Sequence, residues 1–215
     1  MDRRCRHRRI VARPKIPSPD QMQQISCDTC GQVTPAYDIV NSGSMDSGYR
    51  QLCGRCFNAQ VAKLAGLKDF EHVRFEPIGM TDASGGTHDF HFRAHLFGTG
   101  VALDAFELRE GHPAGYQFQV IGDAQDDLLA LLGRLIQKMR RALAIRHLED
   151  SELGLQVNDR LIVRAKIGCD LDEVDRLPLV VIDGREVSWA DFGRMVMAFE
   201  GWQFKLEFRD RSEEL

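Results

Sequence analysis

A chain of 215 residues, 43% hydrophobic and 28% charged, has enough apolar material for a real core. Its formal net charge of −4 fits a soluble globular protein, and no apolar run reaches the ~18 residues of a helical membrane span. The N-terminus has cations but no apolar segment behind them, so a secretory signal is not expected.

Residues 1–24 read as a disordered basic arm. Arg3, Arg4, Arg6, Arg8, Arg9, Arg13 and Lys15 stand against Asp2 alone, a net +6 that leaves −10 for the rest of the chain. Pro14, Pro17 and Pro19 keep the following stretch extended. A basic arm next to a metal finger invites a nucleic-acid reading, because Lys and Arg displace counterions from phosphates. The acidic body does not extend that basic surface. Met22, just before the finger, is an alternative start of the chain. Six cysteines occur, and Cys5 and Cys169 lie in unlike contexts that suggest no disulfide framework. A reducing cytoplasm is therefore the expected compartment.

The strongest signal is Cys27-Asp28-Thr29-Cys30-Gly31 followed by Cys53-Gly54-Arg55-Cys56-Phe57. Two residues between cysteines let both thiolates of a pair reach one ion from a single tight turn. Four thiolates at ~2.3 Å fit a tetrahedral Zn2+. Cys27, Cys30, Cys53 and Cys56 are thus the predicted metal ligands, with one structural zinc as the cofactor. Redox thiols and catalytic zinc are the other readings, the latter disfavoured because no ligand place is left for water. Between the pairs, residues 32–40 read as a strand, 41–48 as a turn-rich tip and 49–52 as a returning strand. After Cys56 a helix is expected, with Phe57, Val61, Leu64 and Ala65 on its apolar face and Gly66 as its stop. Knuckle, hairpin and then helix is the order of a treble clef. The run Leu52-Cys53-Gly54-Arg55-Cys56 resembles the second knuckle of GATA-type zinc fingers, over residues 25–66 only. Treble clefs serve DNA binding, protein binding and plain support, so that resemblance carries no function.

Residues 67–150 read as an antiparallel meander and a long helix. Val73, Phe75 and Ile78 suggest a first strand, 88–97 a second and 101–109 a third, joined through Gly98-Thr99-Gly100. Residues 110–115 read as a turn and 116–121 as a fourth strand. Asp123 is the expected N-cap of a helix whose stripe is Leu128, Leu132, Leu135, Met139 and Leu143, continuing to about Leu148. Arg134, Lys138 and Arg141 share its other side, either as a solvated face or as a phosphate ridge. Strand alternation puts His88, Phe90 and Phe92 on one face and Asp89, His91, Arg93 and His95 on the other. A polar outer face is the plainer reading. A ligand or catalytic cluster of His91, Arg93 and Asp89, completed by Asp104, Glu107 or His112, is the sharper one. His91 and His95, ~13 Å apart along a strand, cannot bind one ion unaided. No nucleophile elbow and no phosphate loop occurs. No catalytic or cofactor-binding residue is therefore assigned.

Residues 151–215 read as a C-terminal ββαβ module. Residues 151–154 suggest a linker, 155–167 are strand-rich, and 168–175 form an acidic loop that departs from the EF-hand pattern. Residues 179–182 and 185–187 read as strands around an Asp183-Gly184 turn, and Ser188 as the N-cap of a helix bearing Trp189, Phe192, Met195, Val196 and Phe199 on one face. Trp202, Phe204, Leu206 and Phe208 alternate with Gln203, Lys205, Glu207 and Arg209 as a half-buried strand. Trp189 and Trp202 are expected in the core, with an exposed aromatic platform as the alternative. The stretches 180–189 and 200–206 resemble the C-terminal part of uncharacterised bacterial proteins that also carry an N-terminal CxxC pair. That resemblance implies a zinc-containing bacterial protein of unknown function.

The expected protein is α+β, with a treble-clef zinc module, a central sheet and helix, and a C-terminal α+β unit. The favoured function is a non-enzymatic zinc-containing adaptor that binds another protein, with no membrane partner. Nucleic-acid binding through the arm, Arg50, Arg55 and the basic helix side is the alternative. An enzyme with its site on the central sheet is a third reading, which predicts a deep cleft lined by His91, Arg93 and Asp104.

Overall fold

The computed structural model describes residues 23–46, 48–68, 70–152, 154–169 and 177–213. Most of the basic arm and most of the acidic loop at 168–175 lie outside them. The described chain is α+β, as expected, with antiparallel strands and three helices.

β1 (Gln24–Ser26) and β2 (Val33–Pro35) pair around the first cysteine turn. The strand expected over 32–40 is broken in two. Pro35 has no N–H with which to continue a ladder, and a 3-10 turn over Ala36–Asp38 follows it. β3 (Ile39–Ser44) and β4 (Gly48–Cys53) then form a hairpin in which Ile39 faces Cys53. Helix α1 (Gly54–Ala65) starts on Cys53 and ends at Gly66 in a left-handed conformation.

β5 (Ile78–Thr81), β6 (Thr87–Phe97), β7 (Gly100–Arg109) and β8 (His112–Asp123) form the expected meander, in that order. The first strand begins only after Pro77; Val73 and Phe75 precede it outside the sheet. β8 begins earlier than expected because Gly115 is not in a turn but in a bulge. The register jumps between Phe106 and Glu107, and Gly115 sits at φ +57. Glu107 Oε2 accepts from the Tyr116 N–H at 2.7 Å and holds the bulge.

Helix α2 (Leu128–Leu143) covers one face of this sheet. Its N-cap is Asp127, which accepts from the Leu129 N–H at 2.9 Å, and not Asp123. Asp123 instead ends β8 and accepts from Gln125 N–H in the connecting turn. Leu131, Leu135, Met139 and Leu143 are buried against Phe90, Leu96, Val101 and Leu103. The helix stops at Leu143, and Leu148 begins the next strand, where the continuing stripe had predicted helix.

Arg134 and Arg141 are exposed, as a solvated face requires, and Lys138 is half-buried; Arg134 and Lys138 also bond to the sheet. Arg134 Nη2 donates to Ile121 O at 3.2 Å and Lys138 Nζ to Gln119 O at 3.1 Å. They satisfy alternate carbonyls on the outer edge of β8. These two cations are therefore committed to the sheet.

β9 (Leu148–Ser151) and β10 (Gly154–Val157) form a hairpin where a linker had been expected. β11 (Lys166–Cys169), β12 (Pro178–Ile182) and β13 (Arg185–Ser188) form a second antiparallel sheet. The Asp183-Gly184 turn has φ of +50 and +70, the geometry of a tight hairpin. Helix α3 (Trp189–Met197) follows, capped by Ser188 Oγ, which accepts from the Asp191 N–H at 3.1 Å. Leu148, Val180, Ile182, Val187 and Met195 make a separate small core. The final strand of the expected ββαβ unit is absent. Residues 202–208 belong to no sheet, and both tryptophans lie outside the core, with Trp189 48% and Trp202 66% exposed.

The apolar face expected of α1 is only partly buried: Phe57 and Val61 pack against the core clusters, but the centre of the buried side lies elsewhere. Leu64 is 82% exposed, while Gly54, Asn58 and Ala62 form the buried side. These residues bring the helix against the outer edge of β6, beyond the reach of short β5. The wholly buried Asn58 uses its amide as a strand would: Nδ2 donates to Ala94 O at 2.8 Å and Oδ1 accepts from the Leu96 N–H at 2.9 Å. The other Nδ2 proton goes to His72 Nδ1 at 3.0 Å, which makes that ring nitrogen an acceptor. Replacing Asn58 by Ala strands a buried carbonyl and a buried N–H. The expected loss is about 2–4 kcal/mol of stability, measured by urea unfolding; a loss within error would contradict this account of the edge.

Candidate metal centre and neighbouring polar clusters

Each cysteine pair is placed by a strand end. Cys27 follows β1, and the turn closes through Cys27 N–H to Gln32 O at 3.0 Å and Gly31 N–H to Cys27 O at 2.8 Å. Gly31 takes φ +69, which glycine adopts without strain. Asp28 fastens this turn to β4: its N–H donates to Gln51 O at 2.8 Å and its Oδ2 accepts from Gln51 N–H at 2.7 Å. Cys53 ends β4 and caps α1, and Cys56 lies in the first helical turn.

The four ligand atoms of Cys27, Cys30, Cys53 and Cys56 all lie within 4.8 Å of one another. Cys30 Sγ and Cys53 Sγ, from different pairs, are 3.9 Å apart. A tetrahedron with ~2.3 Å Zn–S bonds has an edge of ~3.8 Å. The sulfurs therefore fit a four-thiolate metal ion. Cys53 N–H donates to Cys27 Sγ at 3.3 Å. Leu52, with Ile39 and Phe57 around it, forms a small apolar cluster about Cys27 and Cys53.

The thiols are electrostatically unequal. Burial pushes Cys27 up, but the N–H groups of Cys53, Cys30 and Thr29 outweigh it and bring the group down to about 6. Burial, and then the crowding thiols of Cys30 and Cys53, push Cys56 up to about 12. Without a cation the cluster favours one thiolate and resists becoming fully ionised. A divalent ion removes that obstacle by displacing the protons.

Among the described residues, the face of the central sheet that bears His91, Arg93 and Asp104 is covered rather than open. Tyr37 and Phe57 of the cysteine module cover that face. The Tyr37 ring meets His91 at 5.6 Å and Phe106 at 5.5 Å, and Phe57 meets His95 at 5.6 Å. Arg93 ties the layers together: Nη1 donates to Tyr37 O at 2.9 Å and Nη2 to Asp104 Oδ2 at 3.0 Å. Gln119 and Arg211 also donate to Asp104, which is 4% exposed. Burial, reinforced by the Arg93 charge, holds His95 down at about 4, and burial also lowers His91. Both are neutral rings used for packing. Asp89 and His112 are exposed and join no such cluster.

A second polar cluster lies on the opposite face, where only the direction of His88 had been foreseen. His88 bridges two carboxylates, with Nδ1 2.9 Å from Glu107 Oε1 and Nε2 3.0 Å from Asp82 Oδ2. Asp82 Oδ1 is itself held by the N–H groups of Ser84 and Gly86, both at 2.8 Å. The Tyr116 ring stands edge-on to His88 at 5.1 Å. The hydrogen bond to Glu107, opposed by burial and aided by Asp82, raises His88 to about 9. It is an imidazolium at neutral pH. The adjoining cavity, bounded by Asp82, Tyr116, Asp183 and Arg185, has a volume of about 30 Å³, room for a water rather than a substrate. The turn at residues 82–86 was visible in sequence; the pairing across strands to Glu107 was not.

Three domain models match the chain, each described as a domain of unknown function: DUF7685 over residues 26–68, DUF7686 over 71–144 and DUF7713 over 147–213. No curated protein and no solved structure matches it.

The His88 cluster makes stability depend on pH. Its pKa rises from 6.5 to about 9 on folding. The stabilisation is therefore complete below pH 6.5 and lost as pH climbs through about 9. The difference in urea midpoint between the native protein and His88→Gln should shrink between pH 7 and pH 10. A difference constant over that range would contradict the bridging imidazolium.

Proposed function

We propose that the protein holds one structural Zn2+ through Cys27, Cys30, Cys53 and Cys56, and acts as a non-enzymatic adaptor that binds another protein. The convergence of four sulfurs, two from each pair, is the observation that carries this reading. A site with thiolate in all four places has no open position for substrate or activated water. The order of elements, with a knuckle, the β3–β4 hairpin and a helix entered through the second pair, supports a treble clef over residues 25–66. Zinc there would stabilise a segment whose own apolar cluster is small.

A protein partner is supported by the exposed apolar side chains of this module: Val33, Met45 on the hairpin tip, and Tyr49. Such residues beside a rigid metal knuckle offer contact area at low entropic cost. Nothing in the geometry of Arg134 or Lys138 favours a phosphate ligand, since both are engaged with β8 carbonyls.

Elemental mass spectrometry of the purified protein should find about one zinc per chain. Cys27→Ser and Cys53→Ser should lose it and become protease-sensitive over residues 25–66. Normal zinc content with intact protease resistance in both variants would sink the metal reading. For the adaptor reading, a binder captured by the native protein should be lost on Met45→Asp with Tyr49→Asp; capture unchanged by that pair of substitutions counts against it.

A further inference from the structure

The stretch after α3 behaves as a strand without a sheet. Trp202, Phe204, Leu206 and Phe208 are 66%, 83%, 66% and 70% exposed. Between them stand Gln203, Lys205, Glu207 and Arg209, the alternation of a half-buried strand. Yet, among the described residues, residues 202–208 pair with no other strand.

This is not a loose end. At its start, Trp202 N–H donates to Phe199 O at 2.9 Å, and the two rings lie 5.7 Å apart. At its far end, Arg211 donates to buried Asp104, and Lys138 Nζ donates to Arg211 O at 2.8 Å and Glu213 O at 2.7 Å. The DUF7713 match runs through the whole stretch to residue 213. The segment is held at both ends; between them its apolar side chains are exposed, and Glu207 pairs with Lys205 and Arg209 within the chain.

We propose that this segment is a dimerisation strand, and that two copies of the chain pair it antiparallel about a two-fold axis at Leu206. The sequence suits that register. With Leu206 opposite its own counterpart, Lys205 faces the second copy's Glu207 and Glu207 faces its Lys205. Phe204 faces Phe208 in the same way and Trp202 faces Asp210, so the middle of the ribbon sets apolar side chains against apolar ones and opposite charges against each other. Centring on Lys205 would oppose two lysines, and centring on Glu207 would oppose two glutamates and set Lys205 against Arg209. Like charges directly opposite are destabilising.

Trp and Phe side chains bury ~150–250 Å² each when fully covered. The six rings of two copies reach the ~1,200 Å² at the lower end of specific interfaces only if the apolar faces are covered as well as the strands paired. A two-stranded ribbon alone is marginal. Trp189, Val196 and Met197, exposed on α3 at 48%, 40% and 63%, continue the apolar surface on the helix that leads into the strand. An isologous contact of this kind closes on itself and stops at two copies. The inference is independent of the metal reading, because no cysteine of the cluster takes part.

The test is the mass of the full-length protein in solution, by light scattering and sedimentation across a concentration series. A dimer is expected. Leu206→Lys, which opposes two lysines at the axis, should weaken it ~100-fold or more. Lys205→Glu and Glu207→Lys should each weaken the dimer, and the double variant should restore it. In a Cys5→Ser, Cys169→Ser background, Leu206→Cys should form a disulfide-linked dimer on mild oxidation. A monomer at every concentration would overturn the proposal, leaving a different partner for the strand. So would a dimer indifferent to Leu206→Lys, or a failure of the charge-swapped double variant to recover.

Discussion

The outer edge of β6 beyond Phe90 has no neighbouring strand, and its backbone groups are buried. That constraint shapes the rest of the structure. A buried N–H or carbonyl without a partner costs free energy comparable to a lost hydrogen bond. Asn58 supplies both partners from the side of α1. To do so the helix must approach closely, which explains why Gly54 and Ala62, not Leu64, face inward. Bringing α1 to the edge also brings Tyr37 and Phe57 over the sheet face, where His91, His95 and Phe106 receive them. Arg93 then joins Tyr37 O to Asp104. One amide thus decides how the cysteine module sits on the sheet, and that contact fills the place where a catalytic cleft had been imagined.

The opposite edge follows the same logic with different chemistry. Arg134 and Lys138 reach from α2 to the carbonyls of Ile121 and Gln119. Cations on an edge both satisfy acceptors and repel other strands. Side chains thus satisfy backbone groups on both sides of the central sheet, at β6 beyond β5 and along β8. The apolar side chains of residues 202–208, in contrast, are exposed.

What sequence conveyed well was local. The cysteine spacing, the meander, the α2 stripe and the Asp183-Gly184 turn all follow from patterns within a few residues. What it misjudged was decided by contacts from afar. The α1 face was misread because hydrophobicity points to Leu64, whereas the helix packs on a backbone edge and needs a polar residue there. The β8 start was misread because a glycine in a bulge looks like one in a turn. Asp123 and Asp127 are both good caps, and only the length of the connecting turn separates them. The odd-numbered face of β6 looked solvated because polar residues there meet another module rather than water. The His88 bridge needs Asp82 from the turn after β5 and Glu107 from β7, which no spacing rule brings together. The half-buried strand expected over 202–208 is not formed: among the described residues this stretch pairs with no strand and its apolar side chains are exposed.

The Asn58 clasp has one more consequence. The helix that carries it begins on Cys53 and holds Cys56 in its first turn. Anything that loosens the cysteine knot also withdraws the amide from β6. The newly bared edge would expose Ala94 O and Leu96 N–H beside aromatic residues, a ready template for cross-β association. Failure at the knot would then show as turbidity and intermolecular sheet before any general loss of helix, so the knot guards solubility as much as shape.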